Sequence, residues 1–301
     1  MSFAMPFHVK KSETPGRAVQ RVCRERIGEA RSRLRHGARP AAIHGARKEI
    51  KKLRALLQLV RGGIGRRVYR KGGKALRGAA KHLAPTRDAR VMLKAFESLT
   101  GTRTNEYPLA AAALKKQARQ QARNFRKEDA AIRAEKLLRK AGRHMDELKL
   151  KSSGWAAFDP GLEDCYRRGC AAFHLARREP QPEHFHAWRR HVKQLWYCLC
   201  LLQPAWTAAT RRRVDALELL GEELGAEHDL HLLDAFVRKY DLVKEGTGLT
   251  ALIAGQRRQL QAVALKLGAR LYAQEPAAFC RRLQNEWNGW HGTASSSRRR
   301  E

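Results

Sequence analysis

Carboxylates are the scarce functional group in this 301-residue chain: 29 Asp and Glu stand against 62 Lys and Arg, leaving a formal net charge of +33. A folded body with that excess repels itself, which points to a polyanionic partner. Long apolar runs are lacking as well. No stretch approaches a membrane span, and the start, MSFAMPFHVKKSETPG, has no apolar core of a signal peptide, so a soluble cytoplasmic protein without a membrane partner is expected. The six cysteines, at 23, 165, 170, 198, 200 and 280, form no C-x-x-C pair. That spacing argues against a zinc site or disulfide framework and for free, mostly buried thiols. No phosphate-cradling GxxxxGK[ST] loop occurs, and the glycine pairs at 62–63 and 72–73 read as helix breaks.

β-branched runs of period 2 are also absent. Ala, Leu, Arg, Lys and Glu fill long segments instead, so the fold class is all-α. With 43% hydrophobic residues the chain can bury a sizeable core. A first helix is expected from about Pro15 to His36, with Thr14 as N-cap. Pro40 opens a second, Gly62-Gly63 ends it, and a third basic helix runs through Lys71, Lys74, Arg77 and Lys81. The segment LAPTRD leads into a fourth, and Pro108 opens a long fifth segment to about Leu150.

The second helix makes two demands at once. At 100° per residue Ile43, Ala46, Ile50, Leu53, Leu56, Leu57 and Val60 fall on one side, and His44, Arg47, Lys48 and Lys51 on the other. Most charged faces are merely solvated. Here, however, like charges at Arg47/Lys51, Lys48/Lys51 and Lys48/Lys52 each cost a helix a few tenths of a kcal/mol, and no interleaved Glu relieves most of them.

The same spacing recurs. HGARKEIKKLR, from His44, aligns with HAWRRHVKQLW, from His186, so Arg47 falls on Arg189, Lys48 on Arg190 and Lys51 on Lys193. At nearly the same offset LAPTRD aligns with LGAEHD, which sets Arg87 on His228 and Asp88 on Asp229. Two matches in one order imply a duplicated unit of about four helices, two bundles about a pseudo-twofold. The resulting division is a tail at 1–13, a first bundle at 14–150, a linker at 151–160, a second bundle at 161–291 and a basic tail at 292–301. If the stripes face each other, they line a groove of Lys, Arg and His, in which mobile ammonium and planar guanidinium groups can follow a flexible chain of phosphates.

The H-x-x-R-x-x-x-[KR] helix, its LG-x-x-[RHN]-D companion and their recurrence resemble the CHAD family, the conserved histidine α-helical domain, over roughly Thr14 to Trp290. The resemblance implies binding of inorganic polyphosphate through a basic surface between two helical bundles, and association with polyphosphate granules. Carried over position by position, the family pattern falls on His44, Arg47, Lys51, Lys52 and Arg54, then on His186, Arg189, Lys193 and Tyr197. Arg87-Asp88 and His228-Asp229 take the place of its helix-entry pair. The full candidate anion set adds Lys48, Lys71, Lys74, Arg77 and Arg190, with Asp88 and Asp229 supporting by orienting a neighbouring Arg or His. Gln194 and Trp196 replace Lys52 and Arg54 in the second half, and Asp215 and Glu218 stand roughly where Lys74 and Arg77 do, so fewer contacts are expected there.

Two other chemistries are weighed and set aside. A metal site at His228-x-x-His231 with Asp229 and Asp234, or at His184 with His186, has poor helical geometry for its second pair. A phosphotransferase needs metal-holding carboxylates or a nucleophile beside a base, so no catalytic residue, metal or cofactor is expected. Single-stranded nucleic acid on the same surface is the alternative partner, with Tyr197 and Trp196 available for base stacking.

Overall fold

The computed structural model describes residues 7–35, 39–242 and 248–292. Among these there are eleven α-helices and no strand. They are α1 (Pro15–Arg35), α2 (Pro40–Leu59), α3 (Arg66–His82), α4 (Ala84–Thr100), α5 (Pro108–Lys127), α6 (Ala130–Asp146), α7 (Asp159–Arg178), α8 (Pro182–Leu201), α9 (Ala208–Lys239), α10 (Leu249–Leu271) and α11 (Pro276–Gly292). Among the described residues, no helix is long and apolar enough to cross a membrane. Proline opens α1, α2, α5, α8 and α11, where its missing N–H is one that the helix leaves unpaired anyway. Thr14 accepts from the Arg17 N–H at 3.4 Å, the cap expected of it.

Helix α2 folds in spite of its charges because burial outweighs repulsion. Ile43, Ile50, Leu53 and Leu56 are all at most 2% exposed. Each is worth about 2 kcal/mol, against a few tenths for each like-charge pair. The apolar face packs α2 against α1, α3, α7 and α8.

Four expectations need correction. The fifth segment is two helices, because Asp129 adopts a left-handed conformation (φ 49°) between α5 and α6, one that Asp tolerates better than most residues. Gly72 and Gly73 break nothing: both are buried inside α3, where Gly72 faces Leu57 and Met145. His228 and Asp229 do not enter a helix but lie within the 32-residue α9. Ala226 stands there where the first half has Pro85, so nothing interrupts the hydrogen-bond ladder. Residues 7–13 are no tail either: Val9 is buried and donates its N–H to the Leu201 carbonyl, and the Phe7 ring meets Tyr197 edge-on. Residues 1–6, 36–38 and 293–301, which hold the end of the first helix and nearly all of the basic C-terminal tail, lie outside the described residues.

The cores do not follow the halves. One cluster joins α1, α2, α3 and α6 to α7, α8, α11 and the first half of α9. The other joins α4 and α5 to the second half of α9 and the start of α10. The stretch 151–160 is a packed junction, with Trp155, Ala157 and Phe158 all buried.

Candidate anion-binding cleft

Because α2 lies against α8, the two charged stripes meet. Between α2, α3 and α8 opens a cleft of about 190 Å³. Its cationic lining is Lys51 and Arg54 from α2, Arg77 from α3, and Arg189, Arg190 and Lys193 from α8, and no carboxylate lines it. Ala55 and Leu57 form apolar floor, with Tyr69, Tyr197, Gln58 and Gln194 adding polar groups.

None of the six cations forms an ion pair with any described carboxylate. Elsewhere the protein does pair its arginines: Arg21 with Glu13 and Glu25, Arg31 with Glu135, Arg168 with Asp164, Arg238 with Asp234. The cleft is therefore a local exception, not a by-product of scarce carboxylates.

Crowding acts on the protonation of the cleft cations. More than a third of Lys51 is open to water, yet its amine sits in the cleft wall. Desolvation, with Arg189, Arg47, Arg87 and Lys193 adding repulsion, pushes it down to about 7. Desolvation likewise lowers Arg54, with Arg190 and Arg77, which share the cleft lining, contributing. Lys193 is lowered less starkly: burial acts first, but Glu222 and Glu218 of α9 oppose it.

Arg87, Arg47, His44, His186 and His228 do not line the cleft; among them Arg87 is the hub. It donates to Asp88 at 3.2 Å and to Asp229 at 3.0 Å, tying α4 to α9. Both aspartates thus orient one arginine, and Asp229 comes from the opposite half. Arg47 is fixed differently, donating to the Ala80 carbonyl at 3.1 Å. Arg189 lies along Gly225 of α9, its Nε buried without a partner, and Lys193 lies along Gly221 one turn earlier. A side chain at Gly221 would meet the Lys193 Cε at 2.6 Å, so these two glycines leave room for the stems of the cations.

The histidines flank this centre. His44, exposed on α2, is lowered by burial and then by Lys51, Lys48, Arg87 and Arg47. His186 is lowered by burial and then by Arg189 and Arg190. Its Nδ1 lies 3.1 Å from the Nδ1 of His228, so one nitrogen donates and the other accepts, and the contact holds a single proton. Burial, with Arg189, His186 and Arg87 adding repulsion, holds His228 down at about 3, a neutral ring.

Several predicted residues sit apart from the cleft. Lys52 does not line it, being bonded to Glu49 at 2.9 Å and placed over Phe7 at 5.3 Å. Glu49 is the interleaved carboxylate that the stripe was expected to lack, and it also pairs with buried Arg26 at 3.1 Å. Lys48, Lys71 and Lys74 are exposed but do not line the cleft. Tyr197 lines it as a buried ring, its hydroxyl pushed up by burial. Tyr69, His191 and the glycine seats were missed, although Tyr69, Gly73 and Arg77 are spaced four apart on α3, the signature of one face. Among the described residues, no group of three or more His, Cys, Asp or Glu could hold a metal.

Fold and site together define a class: a helical protein whose halves meet at a cleft of unneutralised cations. The CHAD domain family model matches residues 18–238, and the chain belongs to that family. It resembles a crystal structure of the CHAD domain from the plant Ricinus communis at 16% identity and a TM-score of 0.60, over 95% of each chain. It also resembles PptA from Streptomyces chartreusis at 15% identity and a TM-score of 0.65, over 87% of this chain and 100% of that one. Among curated proteins no match is found.

Proposed function

We propose that the cleft binds inorganic polyphosphate without chemical turnover and that the two helical halves, related units about a pseudo-twofold, present it jointly. The observation that carries this reading is the lining itself: six cations from three helices, with no carboxylate among them and no ion pair to any described carboxylate. Such a site is stabilised only when anions enter, and a mixture of Lys and Arg suits a flexible chain. Membership in the CHAD family supports the choice of polyphosphate, since binding of this polymer is what the family resemblance implies. On this reading the protein associates with polyphosphate granules in the cytoplasm.

Nucleic acid in the same cleft is the competing reading. The two aromatic groups expected to stack on bases do not favour it: Tyr197 is 6% exposed, Trp196 is 9% exposed, and neither offers a free face, while Arg61 lies over the half-buried Tyr69 ring at 5.3 Å. A competition titration over a salt series, with long-chain polyphosphate against single-stranded RNA and duplex DNA, separates the two. Polyphosphate should win at equal phosphate concentration, and the Lys51→Glu/Lys193→Glu double variant should lose it. Displacement by RNA, or undiminished binding by the double variant, would sink the proposal.

A further inference from the structure

A second cationic surface lies away from the cleft, on α5. This helix contributes no residue to the cleft lining and packs mainly on α4, with a smaller contact to α6. It buries only Ala110, Leu114 and Phe125. Lys115, Lys116, Arg119, Arg123, Arg126 and Lys127 are all exposed, and none is paired with a described carboxylate. No Asp or Glu occurs within α5; Glu128 and Asp129 come only after its end. The contrast with α1, α6, α7, α9 and α11 is direct, since each of those pairs an arginine with a carboxylate three or four residues away on the same helix.

The pattern is ordered as well as basic. At 100° per residue the six cations fall within an arc of about 120°. They form a ridge about 18 Å long. Gln120 and Asn124 fall on the flank beside it, and Gln120 donates to Asn124 at 2.8 Å, while Gln117 and Gln121 lie further round, on the side of buried Ala110. Like charges at 115/119, 119/123 and 123/127 weaken the helix, and no described carboxylate pairs with them.

We propose that α5 is a docking face for duplex nucleic acid, separate from the cleft. Its shape favours a duplex over a free polyphosphate chain. The ridge is convex and has no opposing wall, so a flexible chain would have to be ordered along it without enclosure. A duplex already presents phosphates in a fixed row, and its major groove, about 12 Å wide, admits a helix. The Gln120 and Asn124 amides on its flank are the second mark, because Gln and Asn recognise base edges and polyphosphate has none.

The test uses the full chain, a short labelled DNA duplex and long-chain polyphosphate, with binding followed by anisotropy over a salt series. Arg119→Glu/Arg123→Glu should weaken duplex binding at least about tenfold and lower the log–log salt slope by about 2, with polyphosphate affinity kept within about twofold. Arg54→Glu/Arg190→Glu in the cleft should give the reverse pattern. Far-UV circular dichroism checks folding, and the milder Arg119→Gln/Arg123→Gln pair should change duplex binding in the same direction. Unchanged duplex affinity in both α5 variants overturns the proposal, as does duplex loss confined to the cleft variant. Equal loss of polyphosphate in the α5 variant also overturns it, because α5 would then be an extension of the cleft. If the cleft variant kept its polyphosphate while the α5 variant lost duplex, only the function proposed for the cleft would fall.

Discussion

Lys51 and Lys193 occupy matching places in the two stripes but not matching fields. Around Lys51 the acting charges are Arg189, Arg47, Arg87 and Lys193, all repulsive; around Lys193, Glu222 and Glu218 offset Arg189. A phosphate therefore relieves more repulsion at Lys51. Lys51→Glu should weaken polyphosphate binding by about tenfold, equivalent to about 1.4 kcal/mol, and Lys193→Glu by less. Equal losses in a titration of the two variants would contradict this ranking. The same site sets a pH dependence. In the free protein the Lys51 amine loses its proton near pH 7, and bound phosphates raise its pKa, so the complex holds more protons than the free protein above that pH. Affinity should be highest below pH 7 and fall as pH rises through it. Calorimetry at pH 8 in buffers of different ionisation heat should register proton uptake, and Lys51→Arg, charged throughout, should abolish the Lys51 share of it.

Helix α9 shows how one element serves packing and site together. Its glycines at 221 and 225 let α8 lay Lys193 and Arg189 close against it. Gly221→Ala would move only the flexible end of Lys193, while the helix gains up to about 1 kcal/mol of propensity. Stability should hold or rise and polyphosphate affinity fall, a separation readable from thermal melts and titrations on one variant. Gly161 at the start of α7 makes the contrast, because a Cβ there would overlap the Leu59 carbonyl, which is backbone and cannot swing aside. Gly161→Ala should cost about 3 kcal/mol or more of stability, seen as a lowered denaturation midpoint. Element boundaries were the less legible part of the sequence. Pro85 announced the start of α4, but the continuous run of α9 depended on noticing that Ala226 replaces it.

The molecule as a whole carries a formal +33, and two of its surfaces hold six cations each that pair with no described carboxylate. Anions that bind the folded state should stabilise it by mass action, by about 2.7 kcal/mol when free ligand reaches a hundred times Kd. The thermal midpoint should thus climb with polyphosphate concentration and far less with sodium chloride of equal ionic strength. A midpoint that responded equally to both would reduce the effect to general screening.

Residue types and their spacing were enough for the all-α class, the helix α2 with its two faces, its recurrence at α8, and all six cations that line the cleft. Periodicity carries that information because a helix puts residues three and four apart on one side wherever it sits. Which cations stay free was decided only by packing. Lys52 is one residue from Lys51, yet it turns to Glu49 and Phe7, and Arg87 is claimed by an aspartate from the other half of the chain. Such pairings join residues that no local pattern connects, and the cores that bring them together run across both halves.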